Sequence, residues 1–294
     1  MIVIFGATTG VGQGLAFKLK QAGHAVRMVS RSEGDENANL ASGSGMSEAM
    51  RNAAIVVSCA HAKFTGAILA ALPGSVRSVV LTGSAWRYSK VPNERADQVR
   101  SAEALFLASQ RDGVMMHPTM IYGCSQENNI RRLLSLIKRL PVIPAPGGGH
   151  QIVQPIYIED LVDCLFAAVI ADWKGANIIA VGGQPLAWRE MVQICAAVIG
   201  RSKPIINVPA FPIVAALSVL NKLGIKTLDS NTVRRFNEDV NVPLADMATL
   251  LSIHPRDFES GLRLAVANWQ REGDIQFSGL NDRQSDLSLT ELRH

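Results

Sequence analysis

Three glycines near the amino terminus, Gly6, Gly10 and Gly12, are separated by three residues and then by one, with Ala7, Thr8, Thr9 and Val11 filling the gaps. Residues without a Cβ let a chain reverse tightly and bare its amides, which suits the close approach of an anion. Gly6 can turn the chain off a strand end, while Gly10 and Gly12 leave room for a pyrophosphate. A helix starting near Val11 then directs its unpaired N–H groups and positive dipole end at the phosphates. A second chemical choice lies at Arg31. An acidic residue there would hydrogen-bond the ribose hydroxyls of an adenosine, whereas an arginine suits a 2′-phosphate. The sequence reads Ser30-Arg31-Ser32 with the first acid at Glu33, which favours NADP(H) over NAD(H).

Such a cradle needs a strand before it and a helix after it. Residues 2–5 are a short apolar run of the kind buried in a parallel sheet, and Leu15, Ala16, Leu19 and Ala22 recur at helical spacing up to the cap at Gly23. Further strands are predicted over 25–30, 54–59, 76–82, 114–116 and 178–181, with an edge strand at most near 39–41. Helices are predicted over 46–52, 65–72, 94–111, 188–199, 211–223, 231–239 and 257–271. Strands alternating with helices indicate an α/β doubly wound parallel (Rossmann) sheet, with a small C-terminal substrate lobe. In such a sheet the loops leaving the strand ends line the ligand crevice. That rule nominates 6–12, 31–33, 59–61 (with Ala60 and His61), 82–88 and 117–122.

The 294 residues suit one nucleotide domain and an appendage: residues 1–175 with part of 125–155 lent to the lobe, 176–275 mostly lobe, and a mobile tail over 276–294. A hydrophobic content of 48% supplies an ample core, and a net charge of +4 on scattered residues leaves no nucleic-acid patch. Arg131, Arg132, Lys138 and Arg139 read as one solvated helix face. The four cysteines, Cys59, Cys124, Cys164 and Cys195, show no metal spacing and suit reduced thiols in the cytoplasm. No basic leader precedes the first apolar run, and no stretch reaches the length of a membrane span. Phe211 to Leu220 is apolar enough to rest on a membrane surface or to be core, so peripheral membrane association stays open.

Four stretches in order carry a resemblance: Gly6-Ala-Thr-Thr-Gly10-Val-Gly12, Thr82-Gly-Ser84-Ala-Trp-Arg-Tyr88, His117-Pro-Thr-Met-Ile-Tyr122-Gly123 and Gln154-Pro-Ile-Tyr-Ile-Glu159-Asp160-Leu161. Together they resemble the NAD-dependent epimerase/dehydratase branch (extended and atypical members) of the short-chain dehydrogenase/reductases. The subgroup most like it is that of bacterial nucleotide-sugar-epimerase-like proteins related to a complex I accessory subunit. The resemblance implies that Ser84 polarises a substrate hydroxyl or carbonyl and that Pro118, Thr119 and Met120 border the nicotinamide. It also implies a Tyr-x-x-x-Lys pair ahead of the glutamate that matches Glu103, where this chain has Arg95 and Val99. Arginine stays protonated and valine cannot titrate, so neither does the pair's work. Tyr88 and Lys90 in the loop after Ser84 are the other candidates for the proton, against the plainer reading that Tyr88 packs under the loop and Lys90 is solvated.

His61 reads as a crevice wall residue, His117 as structural or substrate-facing, Tyr122 as core, and Glu159-Asp160 as caps on a helix start. Two functions follow from the resemblance. One is an NAD(P)(H)-dependent oxidoreductase or epimerase acting on a hydroxyl or carbonyl carbon of a nucleotide-sugar or lipid-linked small molecule. The other is a non-catalytic NADPH-binding structural or assembly subunit, and a homodimer or a complex subunit fits either.

Overall fold

The computed structural model describes residues 1–124, 129–209, 239 and 245–271. Four strand-to-helix steps and a further strand open the chain: β1 (Ile2–Phe5), α1 (Gly10–Gln21), β2 (Val26–Ser30), β3 (Glu36–Asn37), α2 (Met46–Ala49), β4 (Ile55–Ser58), α3 (Thr65–Ala71), β5 (Ser78–Thr82), α4 (Glu94–Ala108) and β6 (Gly113–Pro118). The short strands β7 (Ile121–Tyr122), β8 (Ile143–Pro146), β9 (Ile152–Val153) and β10 (Ile156–Tyr157) follow, with α5 (Asn129–Arg139) among them. After them come α6 (Ile158–Ile170), β11 (Lys174–Ala180), β12 (Leu186–Ala187), α7 (Trp188–Val198) and β13 (Ile205–Val208). The described chain ends in α8 (Ala245–Leu251) and α9 (Phe258–Arg271).

One sheet has the order β11-β6-β5-β4-β1-β2-β3 with every pairing parallel, a doubly wound arrangement whose order reverses between β1 and β4. Alternation along β1 builds both layers. Ile2 and Ile4 join Leu15, Leu19, Leu161 and Leu165 on the α1/α6 face, while Val3 and Phe5 join Met50, Ile68 and Phe106 on the other. A second core gathers Leu134, Ile137, Trp188, Met191, Phe258 and Trp269 from α5, α7 and α9. That smaller lobe sits beside three two-stranded pieces, β7 with β10, β8 with β13 and β9 with β12.

Several boundaries move from the sequence expectation for local reasons. The edge strand pairs at Glu36–Asn37, because Asn39 instead accepts the Ala41 N–H at 2.9 Å and turns the chain. The helix expected over 46–52 ends at Ala49, and Asn52 takes a left-handed φ of 60°. Strand β5 begins at Ser78 because Val76 N–H closes a turn onto the Pro73 carbonyl at 3.1 Å. The main sheet runs through Ala180, five residues past the division placed at 175, and α8 packs on β11 and α6. The helices expected over 211–223 and 231–239, and the tail over 276–294, lie outside the described residues, Asp239 excepted. No helix among the described residues is long and apolar enough to cross a membrane.

Candidate functional site

The β1–α1 turn lies at the reversal point of the sheet. Thr9 is the N-cap of α1: its Oγ1 accepts the Gly12 N–H at 3.1 Å and donates to the Gly6 carbonyl at 2.8 Å. Gln13 N–H bonds the Thr9 carbonyl at 2.9 Å. The first turn of a helix has no internal partners for its N–H groups, so Gly10 and Val11 keep theirs open at the crevice.

The glycines act differently from one another. Gly6 has a φ of +71°, and a Cβ there would lie 2.8 Å from Ala60 N and 2.9 Å from Cys59 C, so this turn and the loop after β4 touch directly. At Gly12 a Cβ would lie 2.4 Å from the Gly6 carbonyl oxygen, and at Gly10 it would lie 2.8 Å from Cys124 Cβ. Both therefore make room for the protein's own packing. The consequence for an anion is indirect but firm: α1 sits close against the strand end, and its open amides are fixed there. This cradle, with the Gly10 and Val11 N–H groups open and no carboxylate bonded to them among the described residues, fits a diphosphate.

Around it stand the other crevice loops. Arg31 is exposed beyond β2, where Ser30 Oγ accepts the N–H groups of Ser32 at 3.2 Å and Glu33 at 2.7 Å. His61 Nδ1 accepts the Lys63 N–H at 3.2 Å, and its pKa is lowered by burial and then by the cations of Lys63 and Arg95. Arg95, in the first turn of α4, holds its guanidinium 5.8 Å from the Trp86 ring centroid, and Val99 is buried in the core.

Ser84 caps the turn that follows β5, its Oγ accepting the Trp86 N–H at 3.3 Å. Tyr88 is 44% exposed, with the Arg87 guanidinium 4.7 Å from its ring centroid and the His117 ring edge-on at 6.4 Å. Lys90 is exposed in the same loop. Pro118 is buried at the end of β6, Met120 is partly exposed, and the Thr119 hydroxyl is turned inward to the Gln154 carbonyl at 2.5 Å. Thr82 Oγ1, one residue before this turn, is buried without a hydrogen-bond partner among the described residues.

Beneath the turn lies a polar cluster. Glu103, 8% exposed at its side chain, takes both Arg87 nitrogens, one of them at 2.6 Å, and the Asn177 Nδ2 at 2.9 Å. His117 is fully buried, accepts the Ser84 N–H at Nδ1 at 3.3 Å and faces Glu103 with Nε2 at 3.8 Å. Burial outweighs the nearby carboxylate and pulls the imidazole down to about 4.

One sequence reading changes. Asp160 does not cap its helix; it accepts the Arg256 backbone N–H and pairs with its guanidinium, both at 3.0 Å, while Glu159 takes the same guanidinium at 2.9 Å. Those carboxylates fasten the segment before α9 to α6. Tyr122 is core, with its hydroxyl 3.4 Å from the Phe258 carbonyl and its pKa raised by burial.

No family model matches the sequence. An uncharacterized protein of Sinorhizobium fredii, y4nG, is 23% identical over 166 residues, which are 55% of this chain and 41% of that protein. The chain thus spans under half the length of the curated relative it matches. Among solved structures, gox2253 superposes with a TM-score of 0.75 at 13% identity, covering 94% of this chain and 99% of that one. UDP-glucose 4-epimerase from Thermotoga maritima, solved with UDP-glucose, gives 0.71 at 13% identity over 92% and 99%. MoeE5, solved with UDP-glucose and NAD, gives 0.69 at 18% identity over the same shares. The chain shares the doubly wound fold of these structures.

Within this fold, the β1–α1 turn meets the 59–61 loop through Gly6 and Ala60, and the ring of His117 lies against the Ser84 turn through its backbone. The sequence reading missed the Arg87–Glu103–Asn177 part of the cluster. Its one signal was an acid, Glu103, at a position that the helical pattern of Val99, Ala102 and Phe106 buries.

Proposed function

We propose that the chain binds a nicotinamide dinucleotide across the crevice and moves hydride to or from a hydroxyl or carbonyl carbon of a nucleotide-sugar or lipid-linked small molecule, as an oxidoreductase or epimerase. The observation that carries this is the α1 amino end, packed against Gly6 and presenting the amides of Gly10 and Val11. The neighbours solved with UDP-glucose, one of them also with NAD, support the substrate type and the cofactor type. When bound, the nicotinamide supplies the hydride or accepts it.

The chain's own residues do the rest in this reading. Gly6, Thr8, Thr9, Gly10, Val11 and Gly12 form the phosphate cradle, and Ala60, His61, Pro118, Thr119 and Met120 wall the crevice. Arg31, exposed at the β2 end and without a carboxylate partner among the described residues, favours the extra 2′-phosphate of NADP(H). The Ser84 hydroxyl accepts one bond from Trp86 and still has its proton to donate to a substrate oxygen. Tyr88, Lys90 or a bound water exchanges the proton that accompanies the hydride. The reading places the protein in the cytoplasm, as a homodimer or a complex subunit, with no nucleic-acid partner.

Arg95 and Val99 favour a second reading, because neither side chain can exchange a proton at neutral pH. In it the chain holds NADPH without turnover and serves as a structural or assembly subunit, with peripheral membrane contact as one setting. A substitution series on a cellular phenotype separates the two. If Ser84→Ala and Tyr88→Phe abolish the phenotype as Gly10→Asp does, the enzyme reading stands. If only Gly10→Asp abolishes it, the binding subunit is correct.

A further inference from the structure

We infer that His117 is a positioning residue for Ser84: an uncharged imidazole, protonated on Nε2, that holds the Ser84 backbone and so aims its hydroxyl into the crevice. This rests on the reading of Ser84 as the group that meets the substrate oxygen.

The tautomer follows from the donor inventory. A backbone amide only donates, so the Ser84 N–H at 3.3 Å from Nδ1 requires a bare lone pair there. An uncharged ring then carries its proton on Nε2. That nitrogen is buried without a hydrogen-bond partner among the described residues, and so is Asn177 Oδ1, an acceptor. The same Asn177 donates its Nδ2 to Glu103 at 2.9 Å, and Nε2 faces Glu103 at 3.8 Å. A donor and an acceptor both lacking partners stand beside one shared carboxylate, and the Asn177 side chain acts on the ring as a hydrogen-bonding neighbour. The ring then bridges the Ser84 amide on one side to the Asn177–Glu103 pair on the other.

The turn leaves the ring no freedom. A Cβ on Gly83 would lie 2.3 Å from Nδ1 and 2.6 Å from Cε1, so only a glycine lets the 83–84 peptide rest on the imidazole. Gly83 N–H bonds the Met116 carbonyl at 2.7 Å, which sets the turn in register with β6. Further along, Arg87 is clamped on Glu103, and Arg100 Nε donates to the Arg87 carbonyl at 3.1 Å. Two consecutive amides of the turn, Gly83 and Ser84, thus reach consecutive residues of β6. Only the second of them depends on a side chain.

Two variants separate positioning from bulk. His117→Asn keeps an acceptor near the Nδ1 site, whereas His117→Leu fills the space without one. Nitrogen-15 NMR of the full chain labelled at histidine is expected to report the Nε2–H tautomer for His117; an Nδ1–H or imidazolium pattern overturns the inference. Hydrogen exchange at the Ser84 amide is expected to quicken at least tenfold in His117→Leu and to return toward the wild-type rate in His117→Asn. Unchanged exchange in His117→Leu overturns it. If His117→Leu does not fold, the tautomer and the wild-type-like exchange of His117→Asn decide. In turnover, kcat is expected to fall with the Leu variant and recover with Asn, while the KM for the dinucleotide stays put; a fall in kcat that Asn does not reverse overturns the role. If no protein turns over yet the exchange rates behave as expected, the enzyme reading fails and the hold on Ser84 stands.

Discussion

Replacing Gly12 by alanine introduces one methyl group, and the structure says where it lands. The new Cβ would sit 2.4 Å from the Gly6 carbonyl oxygen and 2.8 Å from Ala7 Cα, both backbone atoms. Ordinary contact needs a retreat of about 1 Å, and a strand-to-helix turn held by the Thr9 cap cannot give that locally. The start of α1 must move, at a cost of about 1–3 kcal/mol, typical of an overpacked core. The amides of Gly10 and Val11 move with it, so dinucleotide affinity falls at least tenfold, about 1.4 kcal/mol. Gly66→Ala is the matched control. It too lies inside a helix, but its Cβ meets only the tip of the Leu105 side chain at 3.1 Å. Helix propensity favours that exchange by up to about 1 kcal/mol. Urea unfolding and calorimetric titration of the two variants read both quantities. Wild-type stability and affinity in Gly12→Ala would refute the packing argument, as would equal losses in both variants.

Three other perturbations have signed outcomes. His117 is neutral in the fold down to about 4 against 6.5 for the free group, so the unfolded chain binds the extra proton first and stability falls as the pH drops from about 6.5 toward 4. Its share is on the order of 3 kcal/mol, and the difference in urea stability between wild type and His117→Asn should shrink across that window; parallel curves contradict it. Arg95→Ala removes a cation that depresses His61, so the His61 titration followed by NMR should move up, and an unmoved curve breaks the proximity of the two groups. Arg256→Ala leaves Asp160, 6% exposed at its side chain, without its guanidinium, and unfolding should become easier by about 2–3 kcal/mol after allowance for the partial exposure of Arg256; a neutral result would show that the carboxyl protonates or rehydrates freely.

The layers of this fold were readable because each strand and helix is local and periodic. Ile2 to Phe5 alternates between two cores, and Leu15, Ala16 and Leu19 follow one helix face, so the first βα unit could be drawn from 24 residues. Boundaries failed where a side chain bonded its own backbone, as at Asn39, or where a turn consumed an amide, as at Val76. The need for glycine was legible at Gly6, which turns the chain with a φ of +71°, while the packing of Gly10 on Cys124 and of Gly12 on Gly6 and Ala7 appears only in the folded chain. The Asp160–Arg256 pair and the His117–Glu103 cluster join residues far apart in sequence, and no local pattern encodes a bond of that kind.

The central claim is that the α1 amino end holds a dinucleotide, and calorimetric titration of the folded chain with NADPH, NADP+, NADH and NAD+ tests it most directly. Saturable one-to-one binding of at least one of them, stronger for the phosphorylated pair and weakened by Arg31→Asp, is the predicted result. Absence of binding by all four contradicts the account.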